Sequence, residues 1–273
     1  MTQATLAGES IAGAIDLARY PVDALESPAG RALIAECRQQ LAACGCCLLP
    51  GFLTSKAVDA MAREAAVLVP LAHRTANSRS TAYLDTPDLS FPEDHPKRRL
   101  QATSVGAVAY DLVPREALVR RLYEWDELLH FLAAALGKEK LYRYADPLGG
   151  LNIAVMEAGE ALLWHFDQTD FVVSLLLQKC RAGGVFEYVP YIRSAEEPRY
   201  DRVQALLGGS REGVIEVDME PGTLALFEGR NSIHRVSPIE GDRERLIALF
   251  GYDTKPGTMS SDRLKERRYG RIA

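Results

Sequence analysis

A histidine and an aspartate stand two positions apart in the stretch "LLWHFDQTDFVVSLLLQ", which is otherwise apolar and typical of β-strands. Residues i and i+2 of a strand lie on the same face, so His165 and Asp167 should point the same way. Trp164 and Phe166 should then pack on the opposite face. An imidazole and a carboxylate in this arrangement can bind one metal ion together, but they can also form a buried hydrogen-bonded pair. A metal site needs at least one more ligand.

His234 is the candidate for this third ligand. It lies in "NSIHRVSP", a short predicted strand that follows a turn containing glycine. The other histidines fit less well, because His130 lies in a predicted helix and His73 and His95 lie in a polar loop. Two histidines and one carboxylate with open coordination positions form the facial triad of non-haem iron(II) oxygenases. The three residues therefore predict an iron(II) site.

A basic residue follows this histidine at the start of the next predicted strand. The segment "HRVSPIEGDRERLIALFGY" contains Arg243 and Arg245. Arg245 should share a face with Ile247 and Leu249, and a guanidinium there can bind a carboxylate through a bidentate pair of hydrogen bonds. The alternative for Arg245 is a solvated residue at the end of a strand, and the sequence leaves open which of the two arginines binds an anion.

The elements that must position these residues are short strands in the second half of the chain. Gly, Pro, Asp and Asn separate them, and about eight strands at short spacing are typical of a barrel or a double-sheet jelly roll. Helices are predicted earlier in the chain, so they should buttress one sheet instead of alternating with strands. We therefore predict an α+β, mainly β fold: a double-stranded β-helix (a jelly roll, or cupin-like fold) buttressed by N-terminal helices. The predicted strands are "LNIAVME", "ALLWHFD", "FVVSLLLQ", "VFEYVP", "GVIEVDM", "GTLALFE", "SIHRVSP" and "RLIALFGYD".

The chain of 273 residues is predicted to form a single domain, residues 1–273. Residues 1–27 are interpreted as an N-terminal arm and residues 45–253 as the core with its helical buttress. Residues 73–100 contain three prolines and many polar residues, which predicts a long loop, and long loops inside a compact domain often serve as lids. Helices are predicted over residues 29–43, over "TSKAVDAMAREAAVLVPLA" and over "REALVRRLYEWDELLHFLAAALG".

Composition restricts the function classes. The formal net charge is −5, and the one basic block is the C-terminal run "DRLKERRYGR", so no nucleic-acid partner is expected. Within it, "KERRYGR" is interpreted as a solvated tail, although Arg268 or Arg271 can also fold over the pocket. No apolar run is long enough to span a membrane and "MTQATLAGES" does not resemble a signal peptide, so a cytoplasmic protein is expected. The five cysteines are interpreted as small buried side chains in a reducing compartment.

The His-x-Asp pair, the distal histidine and the following arginine, on a predicted jelly roll, resemble the iron(II)/2-oxoglutarate-dependent oxygenases. The resemblance covers residues 151–253 most clearly. Several segments are similar to one branch of that superfamily, which contains halogenases and hydroxylases of free amino acids. These segments are "YADPLGGLNI", "WHFD", "FVVSLLLQ", "GGVFEYVPYIR", "PGTLALFEG" and "HRVSPIEGDRERLIALFGYD".

The resemblance implies iron(II), 2-oxoglutarate and O2 as cofactor and cosubstrates. It implies His165, Asp167 and His234 as iron ligands and Arg245 as the partner of the far carboxylate of 2-oxoglutarate. In the halogenases of that branch a glycine replaces the acidic ligand and leaves room for chloride on the iron. The presence of Asp167 therefore implies hydroxylation of an unactivated C–H bond in a small polar substrate, with a free amino acid as the expected class.

Four further residues are candidates for contacts with the substrate or the cosubstrate. Asn152, in a predicted inner strand, can hydrogen-bond to either, and a buried structural asparagine is the alternative. Arg74 can hold a substrate carboxylate and Asp170 a substrate ammonium group, although a solvated loop residue is the alternative for each. Gln168 directly follows the ligand pair and is a candidate by position.

Other functions stay open at this point. The same cofactors support desaturation or ring closure, and the substrate can be a nucleotide or another small molecule. A protein-modifying hydroxylase would need an open groove, whereas the predicted loop suits a small substrate. A non-catalytic cupin-like protein that binds a small molecule is the alternative of a different class. The sequence does not indicate an oligomeric state.

Overall fold

The structure is a computed structural model that describes residues 10–273, except for the side chains of residues 75–77. Of the predicted arm at residues 1–27, residues 1–9 lie outside the described residues. The rest of this segment is packed against the domain: it contains a 3-10 helix, Ile11–Ala14, and buries Ile15, Tyr20 and Val22 in the main hydrophobic core. This part of the segment is therefore not a detached arm.

Most of the helices lie before the jelly roll. The α-helices in the described part of the chain are α1 (Pro28–Cys44), α2 (Ser55–Leu68), α3 (Leu118–Tyr123), α4 (Asp126–Ala135), α5 (Tyr200–Leu207) and α6 (Asp262–Tyr269). The side chain of Ser27 caps α1 by accepting a hydrogen bond from the backbone N–H of Gly30, and the helix ends at Gly45 in the left-handed conformation, with φ of 68°. Thr54 caps α2 in the same way, and both helices confirm the prediction. None of these helices combines the length and the apolar character that crossing a bilayer requires.

The prediction of one continuous helix over residues 115–137 is wrong, because the chain breaks between α3 and α4. Trp125 has an extended backbone, with φ of −78° and ψ of 126°, and begins α4. The carbonyl of Tyr123 at the end of α3 accepts hydrogen bonds from Arg143 Nε at 2.9 Å and from the Tyr252 hydroxyl at 3.1 Å. Tertiary hydrogen bonds thus satisfy a carbonyl that a continuous helix would have satisfied internally.

The strands form two antiparallel sheets and two short strand pairs. The strands in the described residues are β1 (Cys46–Leu49), β2 (His73–Ser80), β3 (Gln101–Val108), β4 (Tyr142–Arg143), β5 (Leu151–Met156), β6 (Leu162–His165), β7 (Val172–Gln178), β8 (Ala182–Gly183), β9 (Phe186–Val189), β10 (Ile215–Val217), β11 (Leu224–Phe227), β12 (Ile233–Val236), β13 (Ile239–Glu240), β14 (Arg245–Phe250) and β15 (Tyr252–Asp253). The larger sheet has the order β1-β11-β7-β14-β5-β3-β2, the smaller sheet β10-β9-β12-β6, and β13–β8 and β15–β4 are the pairs. All eight predicted strands are present, and the double-stranded β-helix is confirmed.

Two apolar layers lie on opposite faces of the larger sheet. Its outer face packs against the N-terminal helices in the main core, which confirms their role as a buttress. Its inner face meets the smaller sheet through a second cluster. That cluster contains Ala154, Leu176, Met219, Ala225 and Ile247. Since neighbouring residues of a strand alternate between the two layers, this assignment decides which side chains face the interior of the jelly roll.

The predicted loop at residues 73–100 is wrong in its first part. His73–Ser80 is strand β2, which pairs with β3 at the edge of the larger sheet, and β3 was not predicted either. The sequence "HRTANSRS" has no alternation of apolar residues, which is the signal for a strand with one buried face. Residues 81–100 contain neither helix nor strand, as predicted.

Candidate metal centre

The three predicted metal ligands converge on the inner side of the smaller sheet. His165 ends β6 and His234 lies in β12, where the two residues face each other as a direct pair. Their ring centroids are 4.1 Å apart. Asp167 follows two residues after His165, and one ligand atom of each residue lies within 4.8 Å of the others. In the part of the chain that the structure describes, this is the single cluster of His, Cys, Asp or Glu side chains with metal-ligand spacing.

The Asp167 carboxylate has an oxygen that the protein leaves without a hydrogen bond. Oδ1 lies 3.8 Å from His165 Nε2, and Oδ2 lies 3.5 Å from His234 Nε2. Among the described residues, no donor bonds to Oδ2, although it is buried. Leaving a buried acceptor unsatisfied costs about 1–3 kcal/mol, and a cation held between the three side chains would satisfy it. Two imidazoles and one carboxylate with open positions suit iron(II), so these residues fit the metal that the sequence predicts.

A hydrogen bond on the outer ring nitrogen orients each histidine. His165 Nδ1 lies 2.8 Å from the carbonyl of Leu163, and His234 Nδ1 lies 3.1 Å from the carbonyl of Ser232. Because a carbonyl can only accept, each Nδ1 carries the proton and each Nε2 keeps its lone pair for a metal. Burial lowers the pKa of both imidazoles to about 4. Both rings are therefore neutral near pH 7, the state in which histidine binds metals.

The space for the carboxylate depends on a glycine in the turn before β12. The backbone N–H of Asp167 donates to the carbonyl of Gly229 at 3.0 Å, so the two segments are in contact. A Cβ atom at position 229 would lie 1.7 Å from Asp167 Oδ2, which no pair of non-bonded atoms allows. Gly229 is thus part of the candidate metal centre, and the sequence indicated it only as part of a turn.

Arg245 is a buried cation inside the jelly roll. It begins β14 with 4% of its surface exposed, whereas Arg243 is exposed. It lies opposite Met156 of β5, which belongs to an apolar cluster that extends to Val236 of β12. Burial lowers its pKa to about 10, which still leaves it protonated near pH 7. Among the described residues, no carboxylate forms an ion pair with it. A buried guanidinium without a carboxylate partner is suited to bind an anionic ligand.

The C-terminal run is a helix that reaches the interior, so the interpretation as a solvated tail is wrong. Asn152 lies in β5, and its Oδ1 accepts a hydrogen bond from Arg268 Nη2 of α6 at 3.2 Å. Burial raises the pKa of Asp167, and the positive charge of Arg268 opposes that shift. Arg271 instead pairs with Asp111 at 2.6 Å.

Arg74 lies outside this group. Its guanidinium pairs with Glu160 at 2.8 Å and with Glu157. Arg74 of β2 is paired with Gly106 of β3, and Gly106 is paired with Val155 of β5. Val155 belongs to the core between the larger sheet and the helices. Arg74 therefore lies on the outer face of the sheet. Its placement does not support the predicted contact with a substrate carboxylate.

Gln168 and Asp170 are exposed, and Arg230 connects them in what we call the surface brace. Arg230 pairs with the Asp170 carboxylate and also donates to the backbone carbonyl of Gln168. This brace links the segment after Asp167 to the turn before β12. Because Asp170 already has a cationic partner, it could bind a substrate ammonium group only by exchanging Arg230 for it.

Residues 81–100 contact the metal-binding segment directly. The backbone N–H of Phe166 donates to the carbonyl of Ala82 at 2.8 Å, and the Tyr83 ring stacks on the Phe166 ring with centroids 5.2 Å apart. The guanidinium of Arg193 lies 3.8 Å from the centroid of Phe166. The start of the predicted lid is therefore packed against Phe166, the residue between His165 and Asp167.

Comparisons with known proteins agree with this geometry. The family model described as HalD, Halogenase D, matches residues 29–267. No curated protein matches the sequence significantly. The fold is similar to that of AviO1 from Streptomyces viridochromogenes Tue57, with 18% identity, a TM-score of 0.55 and coverage of 83% of this chain and 97% of that chain.

Two further solved structures come from nogalamycin biosynthesis. The non-haem alpha ketoglutarate dependent epimerase SnoN shares 15% identity and a TM-score of 0.55, over 82% of this chain and 83% of that chain. The carbocyclase SnoK, also alpha ketoglutarate dependent, shares 16% identity and a TM-score of 0.53, over 80% of this chain and 82% of that chain. At these identities the likeness shows a common fold.

Proposed function

The chain belongs to the halogenase D family, and on that premise we propose that it hydroxylates an unactivated C–H bond of a small polar molecule, namely a free amino acid. It is a 2-oxoglutarate-dependent oxygenase that uses iron(II), 2-oxoglutarate and O2. The observation that carries the proposal is the convergence of His165, Asp167 and His234 around a buried carboxylate oxygen without a hydrogen-bond donor.

The residues of the chain have separate tasks in this reaction. Iron(II), together with 2-oxoglutarate and O2, supplies the oxidising power when it is bound. The Nε2 atoms of His165 and His234 and the carboxylate of Asp167 would hold the iron. Arg245 would bind the far carboxylate of 2-oxoglutarate, because it is a buried cation inside the same barrel and Arg243 is exposed.

Hydroxylation is favoured over halogenation by Asp167. A carboxylate in this place occupies the coordination position that a halide would need, and Gly229 keeps the space for that carboxylate free. The halogenases that the sequence resembles have glycine at the acidic position. Efficient chlorination by the unaltered protein would therefore contradict the proposal.

The substrate class rests on the size and the polarity of the surroundings. Residues 81–100 pack against Phe166, between His165 and Asp167, and α6 reaches Asn152 on the inner face of the larger sheet. Segments that cover a metal centre suit a small substrate, because they exclude water from the reaction. Polar groups at that inner face, Asn152 and Arg268, suit a substrate that carries charge.

The test is a screen of the twenty amino acids and their common relatives with the iron(II)-loaded protein, 2-oxoglutarate and O2. Succinate release and product mass are both measured. We expect succinate in every reaction and a product that has gained one oxygen atom in at least one of them. A product that has lost two hydrogen atoms would replace hydroxylation with desaturation or ring closure. The His234→Ala variant is the inactive reference. If the wild type releases no more succinate than this variant, the chain is a binding protein and the proposal is wrong.

A further inference from the structure

We propose that Arg268 binds the carboxylate of the substrate, so that the C-terminal helix α6 selects for carboxylate-bearing molecules. The inference rests on the proposed function, because it places the substrate beside the iron ligands. The observation behind it is a partly buried guanidinium that reaches an inner strand and has a neutral amide as its hydrogen-bond partner.

The position of Arg268 is fixed by the packing of α6. Lys265 is buried and lies 3.7 Å from the carboxylate of Asp146, and the two side chains are 5% and 0% exposed. Tyr269 is buried in a small apolar cluster with Ala107 and Leu148. A buried lysine is stable as a cation only when it is paired, so this helix has one defined docking position. Arg268 lies between these two anchors along the sequence and points into the barrel.

Arg268 keeps unused donors in this position. A guanidinium has five N–H groups, and one hydrogen bond joins Arg268 to Asn152. Over residues 10–273, no carboxylate forms an ion pair with Arg268, whereas Arg271 pairs with Asp111. Asn152 shares a strand face with Ala154, which lies in the apolar cluster between the two sheets, so the remaining donors of Arg268 lie at the interior of the jelly roll.

The chemistry of these donors points to a carboxylate. The planar fork of a guanidinium matches a carboxylate through two parallel hydrogen bonds. The far carboxylate of 2-oxoglutarate is assigned to Arg245, deeper in the barrel. A free amino acid would then place its carboxylate on Arg268, at the end of the site next to α6, and its side chain toward the iron ligands.

The experiment compares each of the twenty amino acids with its carboxamide, which has no carboxylate. Binding is measured by calorimetry without O2, on protein loaded with iron(II) and 2-oxoglutarate. The variants are Arg268→Gln, which can still donate to Asn152 but has no charge, Arg268→Lys, which keeps the charge without the fork, and Arg263→Ala. Arg263 is an exposed arginine of the same helix and serves as the matched control.

We expect the wild-type protein to bind at least one amino acid about 10- to 100-fold more tightly than its carboxamide, as expected for a charge-assisted hydrogen-bonded pair. Arg268→Gln should bind the acid and the amide equally, Arg268→Lys should be intermediate, and Arg263→Ala should match the wild type. The affinity for 2-oxoglutarate should stay unchanged in all variants. Urea unfolding midpoints show whether Arg268→Gln leaves the fold intact.

Three results would overturn the inference. A preference for the acid that persists in Arg268→Gln would assign the carboxylate to another residue. A loss of 2-oxoglutarate affinity in Arg268→Gln would make Arg268 a cosubstrate ligand. A wild-type protein that prefers none of the acids would have no such site. Each leaves the proposed function in place as long as succinate forms from 2-oxoglutarate, whereas absence of succinate formation by the wild type would refute the proposed function itself.

Discussion

Gly229 and Asp167 form a matched pair, because a side chain at position 229 would occupy the space of the Asp167 carboxylate. Gly229→Ala should therefore displace the carboxylate and weaken iron(II) binding by about 10- to 100-fold, the size of effect seen when the support of a metal ligand is disturbed. In an Asp167→Gly background the same alanine should have almost no further effect, since the group that it would displace is gone.

Iron(II) titrations of the two single variants, the double variant and the wild type test this coupling. Gly13→Ala is a control, because a Cβ atom at Gly13 would meet nothing within 4 Å. Independent, additive losses from Gly229→Ala and Asp167→Gly would show that Gly229 acts on something other than the carboxylate.

His234 should be indispensable for the metal. Its Nε2 faces Asp167 Oδ2 at 3.5 Å, while its Nδ1 is held by the carbonyl of Ser232. His234→Ala should abolish iron(II) binding and succinate formation together, and the exposed His130→Ala should change neither. Binding is measured by anaerobic titration and turnover by succinate release. Full activity of His234→Ala would remove this histidine from the ligand set.

At this scale the sequence predicted what depends on local geometry. His165 and Asp167 converge, as strand alternation predicted, although β6 ends at His165 and Asp167 lies just beyond it. Alternation also placed Arg245 on the face of Ile247 and Leu249, but it left Arg243 as an alternative. The structure now separates these two arginines by burial. Arg74 could not be placed, because its outward position depends on the register of an unpredicted strand pair, β2 and β3.

At the scale of the elements, a buried ion pair between Lys265 and Asp146 holds α6 against the domain. Although burial raises the pKa of Asp146, hydrogen bonds from the backbone N–H groups of Leu148 and Ser260 hold it below the usual range, so the carboxylate is charged opposite Lys265. Lys265→Met should destabilise the protein by about 3 kcal/mol, as expected when one partner of a buried pair is removed. It should also release α6 and weaken substrate binding, while 2-oxoglutarate turnover without substrate persists.

Urea unfolding measures the stability of this variant, and hydrogen exchange of the α6 amides measures the release. Glu266→Ala is the matched control, because Glu266 is exposed in the same helix. Unchanged exchange in Lys265→Met would mean that Tyr269 alone fixes the helix, and the ion pair would then have no part in positioning Arg268.

Two of the elements that sequence reasoning missed, β2 and α6, have no periodic apolar signal. The eight strands of the jelly roll have apolar residues that alternate or run together, and they were found. Strand β2 is polar and α6 is rich in charge, so neither shows an apolar face. The break before Trp125 is accompanied by hydrogen bonds from Arg143 and Tyr252 to the Tyr123 carbonyl, and a local pattern does not contain such long-range contacts.

At the scale of the whole molecule, the two sheets contribute different parts of the site. Both histidines come from strands of the smaller sheet, β6 and β12. Arg245 and Asn152 come from β14 and β5 of the larger sheet. A molecule that binds the iron at one end and Arg245 at the other would therefore connect the two sheets. Ligand binding should then stabilise the whole fold, because it is absent in the unfolded chain.

This connection predicts two separate increments in the melting temperature. Iron(II) should raise the melting temperature, and 2-oxoglutarate should raise it again. At about 100 times its dissociation constant, 2-oxoglutarate should add about 2.7 kcal/mol, or about 5–10 °C for a chain of this size. Arg245→Ala should keep the increment from iron(II) and lose that from 2-oxoglutarate, since a lost charge-assisted pair weakens binding by about 10- to 1000-fold.

Two control variants, Arg243→Ala and His234→Ala, complete this experiment. Arg243→Ala should melt like the wild type with both ligands, because Arg243 is exposed. His234→Ala should lose both increments, since 2-oxoglutarate is expected to bind through the metal as well as through Arg245. Anaerobic thermal scans of the four proteins, each with no ligand, with iron(II) and with both ligands, provide the comparison. If Arg243→Ala loses the second increment and Arg245→Ala keeps it, the cosubstrate is held at the surface end of β14, and the two sheets are not joined by it.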